Sequence, residues 1–122
     1  RVRLPTWEEW EKAARGADGR FHVWGDYCDE MFYTSPNSRG DGVRMEGCGL
    51  FPTDESPYGV RDMTGGRREW TGSESADGTQ RVLKGGAYGG TAYSVRAPYQ
   101  LISSPASSSV GFGFRLVAER IK

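Results

Sequence analysis

The side chains that most often carry out chemistry are few in this chain and far apart in sequence. His22 is the only histidine, and Cys28 and Cys48 are the only thiols. A structural zinc site takes about four Cys or His ligands, so these three residues make a poor set. The two cysteines could form one disulfide or remain two structural thiols, and the sequence leaves both arrangements and the redox compartment open.

The acidic residues avoid the segment with the most distinctive composition. Asp and Glu make up 16 of the 122 residues, yet none lies between Gly78 and Ala118. A hydrolase with paired carboxylates would need acids at its pocket, and this segment offers none. A Ser-His-Asp triad is also unsupported, because His22 lies in a charged loop and no nucleophile-elbow motif is present. The sequence therefore predicts recognition and no catalytic residues.

The acid-free segment is rich in residues that suit adaptable binding. Tyrosine supplies a large amphipathic contact at low entropic cost, and serine and glycine fit many shapes. Leu101 and Ile102 lie among serines, which predicts an exposed apolar pair. The alternatives are ordinary sheet packing for the tyrosines and turn geometry for the glycines. The candidate ligand-binding residues are Tyr88, Gly89, Gly90, Ala92, Tyr93, Tyr99, Leu101, Ile102, Ser103, Ser104 and Ser107.

A short helix and a long loop precede this segment. The run Thr6-Trp7-Glu8-Glu9 has the form of a capping box, which predicts a helix from Trp7 to Arg15 that ends at Gly16. Residues 17–54 contain many glycines and no sustained periodicity, which indicates a loop held by specific anchors. The predicted anchors are Trp24, Phe32 and Tyr33, and ordinary core packing is the alternative for each of them.

Short strands complete the prediction. Alternating and β-branched patterns predict strands that start near residue 69 and that cover residues 81–86, 93–97 and 111–118. Arg61, Arg67, Arg68 and Arg81 are interleaved with acids, which indicates a solvated mixed face and no basic patch. One helix, several short strands and long loops predict an α+β fold.

Length and charge set the remaining limits. A chain of 122 residues is long enough for one domain with its own core, and equal numbers of basic and acidic residues give a formal net charge of zero. This balance predicts no binding to nucleic acid or to anionic membranes. No apolar run reaches the roughly 18 residues that a spanning helix needs. Because the chain opens directly on a helix start, we expect a fragment of a longer protein.

Five motifs, in this order, resemble the formylglycine-generating-enzyme (sulfatase-modifying factor) family. They read RLPTWEEWEKAARG, WGD, SPYGVRDMTGGRREWT, RVLKGG and GFRLV, and they run from Arg3 to Val117. The resemblance implies a C-type-lectin-like fold of the formylglycine-generating-enzyme type, loop-rich with a small antiparallel sheet. It also implies that residues 1–122 form a single such domain that lacks the N-terminal portion of the usual one.

The same resemblance implies that the family's chemistry is absent. Members that oxidise cysteine carry two cysteines shortly after the Gly-Gly turn, and the corresponding positions here are Gly90 and, close to the second, Val95. Copper-thiolate chemistry has no ligands at these positions. The related sulfoxide-synthesising branch needs an iron-binding histidine cluster, whereas His22 is alone. We therefore expect a protein that is not an enzyme of the family's type.

The C-terminal spacing resembles one branch, the variable proteins of diversity-generating retroelements. Its cassette positions are Gly85, Gly86, Arg96, Gln100, Pro105 and the run from Gly113 to Arg115. Gln100 departs from the cassette, which has Arg there. Such systems mutate adenines, and every residue type between Ala87 and Phe112 except Gln is reachable from an Asn codon. The resemblance implies that residues 81–117 form a variable region that binds a protein or cell-surface ligand.

Two other functions stay open at this point. SPYGVRDM and GFRLV patterns also occur in sensor modules of bacterial serine/threonine kinases, and an oxidase with relocated thiols is the enzymatic alternative. Family members often bind calcium in the region of Asn37 and Asp41, but no countable ligand set is present here. We therefore predict no cofactor, with structural calcium as the alternative. The oligomeric state and the cell compartment are left open.

Overall fold

A computed structural model describes residues 1–35, 38, 49–109 and 111–121. Asn37, Asp41 and Cys48 lie outside these described residues. The elements in chain order are β1 (Val2–Arg3), α1 (Trp7–Arg15), a 3-10 turn (Glu30–Phe32), β2 (Arg68–Glu74), β3 (Arg81–Lys84), β4 (Leu101–Ser103), β5 (Phe112–Phe114) and β6 (Val117–Ala118). Among these described elements, the nine-residue helix, the short strands and the long connections confirm the predicted loop-rich α+β fold. Within the described ranges, no helix is long and apolar enough to cross a membrane.

Helix α1 begins with the predicted capping box. The backbone amide of Glu9 donates to Thr6 Oγ1 at 3.2 Å, and the backbone amide of Thr6 donates to Glu9 Oε2 at 2.8 Å. These bonds satisfy donors that the first turn of a helix otherwise leaves free. The helix ends at Gly16, where φ is 69° and an added Cβ would lie 2.8 Å from Pro57 Cγ. Glycine is required there both by the backbone conformation and by the close approach of Pro57.

The strands form two sheets. A four-stranded sheet has the order β4-β3-β2-β5, and a two-stranded sheet pairs β1 with β6. Strands β2 and β3 pair antiparallel, as do β3 and β4, whereas β5 pairs parallel to β2. The expected antiparallel sheet is therefore present with one parallel edge. That edge arises because the chain leaves β4 and returns along the sheet before it enters β5.

The register assigns side chains to the two faces of the larger sheet. Glu69 pairs with Lys84, so both lie on the face that α1 covers. Trp70 pairs with Leu83, and Leu83 pairs with Leu101, which places these three on the opposite face. The buried core beneath α1 comprises Trp10, Ala14, Val23, Met63 and Ala97.

A buried carboxylate joins the helix, the sheet and the C-terminal segment. Glu69 Oε2 accepts from Trp10 Nε1 at 2.7 Å and from Arg115 Nε at 2.6 Å, while Oε1 accepts from Arg115 Nη2 at 2.7 Å. Arg115 Nη2 also donates to the carbonyl oxygen of Asp62 at 3.0 Å. Because both carboxylate oxygens are satisfied, the charge of Glu69 is compensated inside the protein.

The structure corrects two of the predicted strands. Residues 93–97 form consecutive turns, because the amide of Arg96 donates back to Tyr93 O at 3.3 Å and the amide of Ala97 donates to Phe21 O at 2.7 Å. The predicted strand there is wrong. Residues 111–118 form two short strands, since Arg115 leaves the sheet register to reach Glu69.

The aromatic residues predicted to anchor the long loop pack against one another and against the core, which fits both the anchor and the core alternatives. Trp24 packs edge-on against Phe32 at a centroid distance of 5.4 Å and stacks on Tyr33 at 6.0 Å. Its other neighbour is His22, stacked at 5.0 Å. Tyr33 and His22 are each 2% exposed. Aromatic pairs at these separations add to the burial of apolar area, so this group fixes the loop against the core.

The Glu69 contacts lead to a stability prediction. Glu69→Gln leaves the Arg115 guanidinium without its carboxylate, and we expect the free energy of unfolding to fall by about 2–4 kcal/mol. Glu55→Gln is the matched control, because the Glu55–Arg61 pair is exposed and its closest N–O distance is 3.5 Å. Its effect should stay below about 1 kcal/mol. Urea unfolding of both variants checks the prediction, and equal losses would contradict it.

Candidate ligand-binding surface

Glycine pairs fix the path of the acid-free segment where it leaves β3. The amide of Gly65 donates to Gly85 O at 2.8 Å, which joins one Gly-Gly pair to the other. Gly86 has a φ of 73°, and an added Cβ would lie 2.9 Å from both Ser94 O and Val95 Cγ1. A side chain at this position would push the following turns away from the core. The Gly-Gly turn therefore sets the path of the residues that follow.

The inner side of the segment is anchored in the core. Ser94, Val95 and Ala97 are 7%, 2% and 3% exposed, and Ala97 belongs to the core beneath α1. The Ser94 hydroxyl donates to Thr91 O at 3.0 Å, so its polar group is satisfied within the turn. These three residues hold the turns in place, and the side chains between and around them point outward.

The outer side carries a row of alternating rings and guanidinium groups. Arg96 Cζ lies 4.8 Å from the ring centroid of Phe21 and 5.4 Å from that of Tyr93. Tyr93 meets Tyr99 edge to face at 5.8 Å, and Arg68 Cζ lies 5.9 Å from the Tyr99 ring. Cation–π and aromatic contacts at these distances support one another. We call these five residues the guanidinium–ring row.

The structure buries none of the residues predicted to contact a ligand. The exposed ones are Gly89, Ala92, Tyr93, Ile102, Ser104 and Ser107. The half-buried ones are Tyr88, Gly90, Tyr99, Leu101 and Ser103. Tyr93 is 65% exposed and Ile102 is 50% exposed, so neither of these large side chains belongs to the core. The set is accessible to another molecule.

The two candidate glycines have local structural roles. Gly89 has a φ of 77°, in the region that favours glycine. An added Cβ at Gly90 would lie 2.5 Å from Ser94 Oγ and 3.0 Å from Ala87 O. Both positions therefore fit the alternative of turn geometry. Whether either glycine also contacts a ligand stays a prediction.

The candidate tyrosines and serines occupy different parts of this surface. Ser103 pairs with Arg81 at the end of β3 farthest from the Gly-Gly turn. The connection from Ser104 then returns to Gly111, whose carbonyl oxygen accepts from the Arg68 amide at 2.8 Å. Arg68 also contacts Tyr99, so the Gly111 end of this connection lies beside the row.

Three members of the row are absent from the predicted ligand-binding residues, and Arg96 enters the sequence analysis only as a cassette position. Phe21 lies in the long loop, far from the candidate segment, and no pattern in the sequence relates it to Arg96. Arg68 was assigned to a solvated mixed face, but its guanidinium packs on Tyr99. The alternation along a strand could have predicted the direction of Arg68, because consecutive residues such as Arg68 and Glu69 point to opposite faces of the sheet.

Three groups elsewhere in the protein have shifted pKa values. Burial raises the pKa of Asp54 to about 7, and its Oδ2 accepts from the Thr64 amide at 3.2 Å. Burial lowers the pKa of His22 and raises that of the half-buried Cys28 thiol. No cluster of three or more metal-ligating side chains occurs among the residues that the structure describes. A cleft of about 230 Å³ runs along α1 and is small for a substrate pocket.

Comparisons with known proteins agree with this architecture. A family described as the sulfatase-modifying factor enzyme 1-like domain matches residues 1–120. The "inactive C-alpha-formylglycine-generating enzyme 2" of Bos taurus is 34% identical over 93% of this chain and 42% of its own length. The hercynine oxygenase of Mycolicibacterium thermoresistibile is 29% identical over 94% of this chain and 31% of its own length.

A solved structure shows the same fold. Treponema denticola variable protein 1 superposes with a TM-score of 0.81 at 26% identity, and the match covers 94% of this chain and 46% of that protein. This chain spans less than half the length of each of the relatives named here. The match to the family over nearly the whole chain, on a C-type-lectin-like scaffold, shows that the chain belongs to the sulfatase-modifying factor enzyme 1-like domain family.

Proposed function

We propose that this chain is a non-catalytic ligand-binding domain, the variable protein of a diversity-generating retroelement. The observation that carries the proposal is the contrast in burial within residues 88–107. Ser94, Val95 and Ala97 are buried and anchor the segment, whereas every candidate contact residue is exposed or half-buried. A surface built in this way can change its side chains without changing its backbone. The ligand is a protein or a cell-surface group, and side chains alone contact it, without a cofactor.

The relatives support both parts of the proposal. The solved structure of a Treponema denticola variable protein has the same fold, and a curated relative of similar sequence is an inactive formylglycine-generating enzyme. The hercynine oxygenase relative supports the enzymatic alternative, but the single histidine here is 2% exposed and packs on Trp24. A catalytic role for His22 would require access that this packing denies.

The positions that correspond to the family's cysteines also favour a binding role. Val95 is 2% exposed, so a group at that position is enclosed by the core. Gly90 has no room for a side chain unless Ser94 moves, because an added Cβ would lie 2.5 Å from Ser94 Oγ. A pair of thiols at these positions would therefore need a different local backbone to reach a substrate.

Diversifying the outward positions tests the proposed scaffold. We expect simultaneous substitution of Ala92, Tyr93, Ile102, Ser104 and Ser107 to leave thermal midpoints within about 10 °C of the parent, because exposed positions seldom change stability by more than about 0.5 kcal/mol each. Selection of such a library against a panel of purified proteins should then recover binders. Thermal unfolding of random clones and binding assays of selected clones provide the measurements.

Two matched libraries serve as controls. Substitution at Ser94, Val95 and Ala97 should unfold most clones, because it disturbs buried packing. Substitution at Glu8, Lys12, Ala17 and Asp18, which are exposed on and after α1, should keep the fold and yield few binders. Equal recovery of binders from this second library would count against the proposed surface.

A second prediction concerns the DNA around the gene. If the segment is diversified by a retroelement, a near-copy of the sequence that encodes residues 81–117 should lie beside a reverse-transcriptase gene. The two copies should differ at adenines, and the differences should concentrate in codons for outward residues such as Tyr93. Codons for Val95 and Ala97 should match. Sequencing the flanking DNA decides the point, and the absence of any second copy there would refute the retroelement assignment.

A third prediction separates binding from oxidation. Incubation of the domain with copper and a cysteine-containing peptide should yield no formylglycine, because neither Gly90 nor Val95 supplies a thiolate. Mass spectrometry of the peptide measures the product, with an active formylglycine-generating enzyme as the positive control. Any turnover above the copper-only background would establish the enzymatic alternative instead.

A further inference from the structure

The guanidinium–ring row contains two cations without a carboxylate partner. Arg96 contacts the rings of Phe21 and Tyr93, and Arg68 contacts the ring of Tyr99. Across residues 1–35, 38, 49–109 and 111–121, no acid forms an ion pair with either guanidinium. Arg115, by contrast, donates hydrogen bonds to both carboxylate oxygens of Glu69. The two arginines of the row therefore keep their capacity to bind an external anion.

One donor in the row is both buried and unused. Arg68 Nε makes no hydrogen bond to any described residue, although solvent does not reach that atom. A buried donor without an acceptor costs roughly 1–3 kcal/mol in proteins. Because that atom is closed to solvent, the Arg68 side chain would have to shift for a ligand oxygen to reach Nε, and the new hydrogen bond would then recover that loss on binding. The orphan donor thus points to an acceptor supplied from outside.

Few acids lie near the row in the part of the chain that the structure describes. Residues 78–118 contain neither Asp nor Glu. Asp26, which lies in the same loop as Phe21, accepts from the Phe21 amide at 2.9 Å through Oδ1. That bond occupies one of its oxygens within the loop. A zero net charge for the whole chain therefore coexists with a locally cationic surface.

We propose that the guanidinium–ring row binds carboxylate side chains of an acidic peptide segment in a protein ligand. The proposal rests on the proposed function, and it adds the chemical class of the ligand. Stacking on a ring fixes the plane of a guanidinium and leaves its edge free, and that edge matches the two oxygens of a carboxylate. The exposed Tyr93 and the adjoining Tyr99 add apolar contact beside each charge.

The test compares two peptides that differ only in charge. A capped peptide of consecutive glutamates is titrated into the domain at low salt, alongside the same peptide with glutamines. We expect the glutamate peptide to bind at least about tenfold more tightly, and the affinity to fall as salt rises, because charged contacts outside the core are screened. The NMR signal of the Arg68 Nε–H group should shift on binding. Equal binding of the two peptides, or no binding of either, would overturn the proposal.

Variants locate the binding on the row. Arg96→Gln and Arg68→Gln should each weaken binding of the glutamate peptide by about fivefold or more. Arg96→Lys should recover part of the loss, since lysine keeps the positive charge but lacks the planar pair of donors that matches a carboxylate. Arg61→Gln is the control, because Arg61 is exposed and pairs with Glu55 outside the row. It should leave the affinity within about twofold. An equal loss in Arg61→Gln would refute the assignment to the row.

The outcomes separate this inference from the proposed function. If Arg96→Gln lowers the thermal midpoint strongly, the affinity of Arg68→Gln and the NMR signal of the Arg68 Nε–H group still decide whether the peptide binds at the row. If the diversified library yields binders while the glutamate peptide fails, the proposed function stands and the preference for carboxylates is wrong. If that library neither folds nor binds, the proposed function fails whatever the peptides do.

Discussion

The contact of Glu69 with Trp10 and Arg115 is the constraint on which the rest of the structure depends. It takes a carboxylate from the central strand β2 and bonds it to the helix on one side and to the C-terminal segment on the other. Neighbouring strand residues point to opposite faces. Once Glu69 faces α1, Arg68 must face the other way, where it meets Tyr99. A buried ion pair thus determines the orientation of a surface cation.

The same face under α1 contains a second buried charge that stabilises the frame. The side chain of Lys84 is fully buried, donates to Glu11 Oε2 at 3.2 Å and lies 5.5 Å from the Trp10 ring. Desolvation lowers the pKa of Lys84, and the attraction of Glu11 opposes that shift. Lys84 directly precedes the Gly-Gly turn. The chain therefore leaves β3 from a residue whose ammonium group is held by the Glu11 carboxylate and the Trp10 ring, which gives the turns that follow a fixed starting point.

Elements that depend on a local motif could be predicted from the sequence, whereas elements that depend on contacts between distant residues could not. The capping box of α1 lies within four consecutive residues, so the sequence predicts the helix correctly. The turns at 93–97 depend on a bond from Ala97 to Phe21, far away in sequence, and no local pattern reveals it. Strand β4 was missed because only its pairing with β3 makes residues 101–103 a strand. The candidate residues share a composition that the sequence displays, whereas the stacking of Arg68 and Arg96 exists only in the fold.

The guanidinium–ring row contains residues from inside and from outside the region that is proposed to vary. Arg68 lies on β2, outside the region proposed to be diversified, and Glu69 next to it fixes its direction. Tyr93 lies inside that region, and its side chain is free of core contacts because only its neighbours Ser94 and Val95 are buried. Under the proposed function, sibling proteins would differ at the tyrosines and keep the guanidinium of Arg68. The part of the charge preference that Arg68 supplies would then belong to the scaffold, and the choice among acidic ligands to the variable rings, which divides specificity between two physically distinct sources.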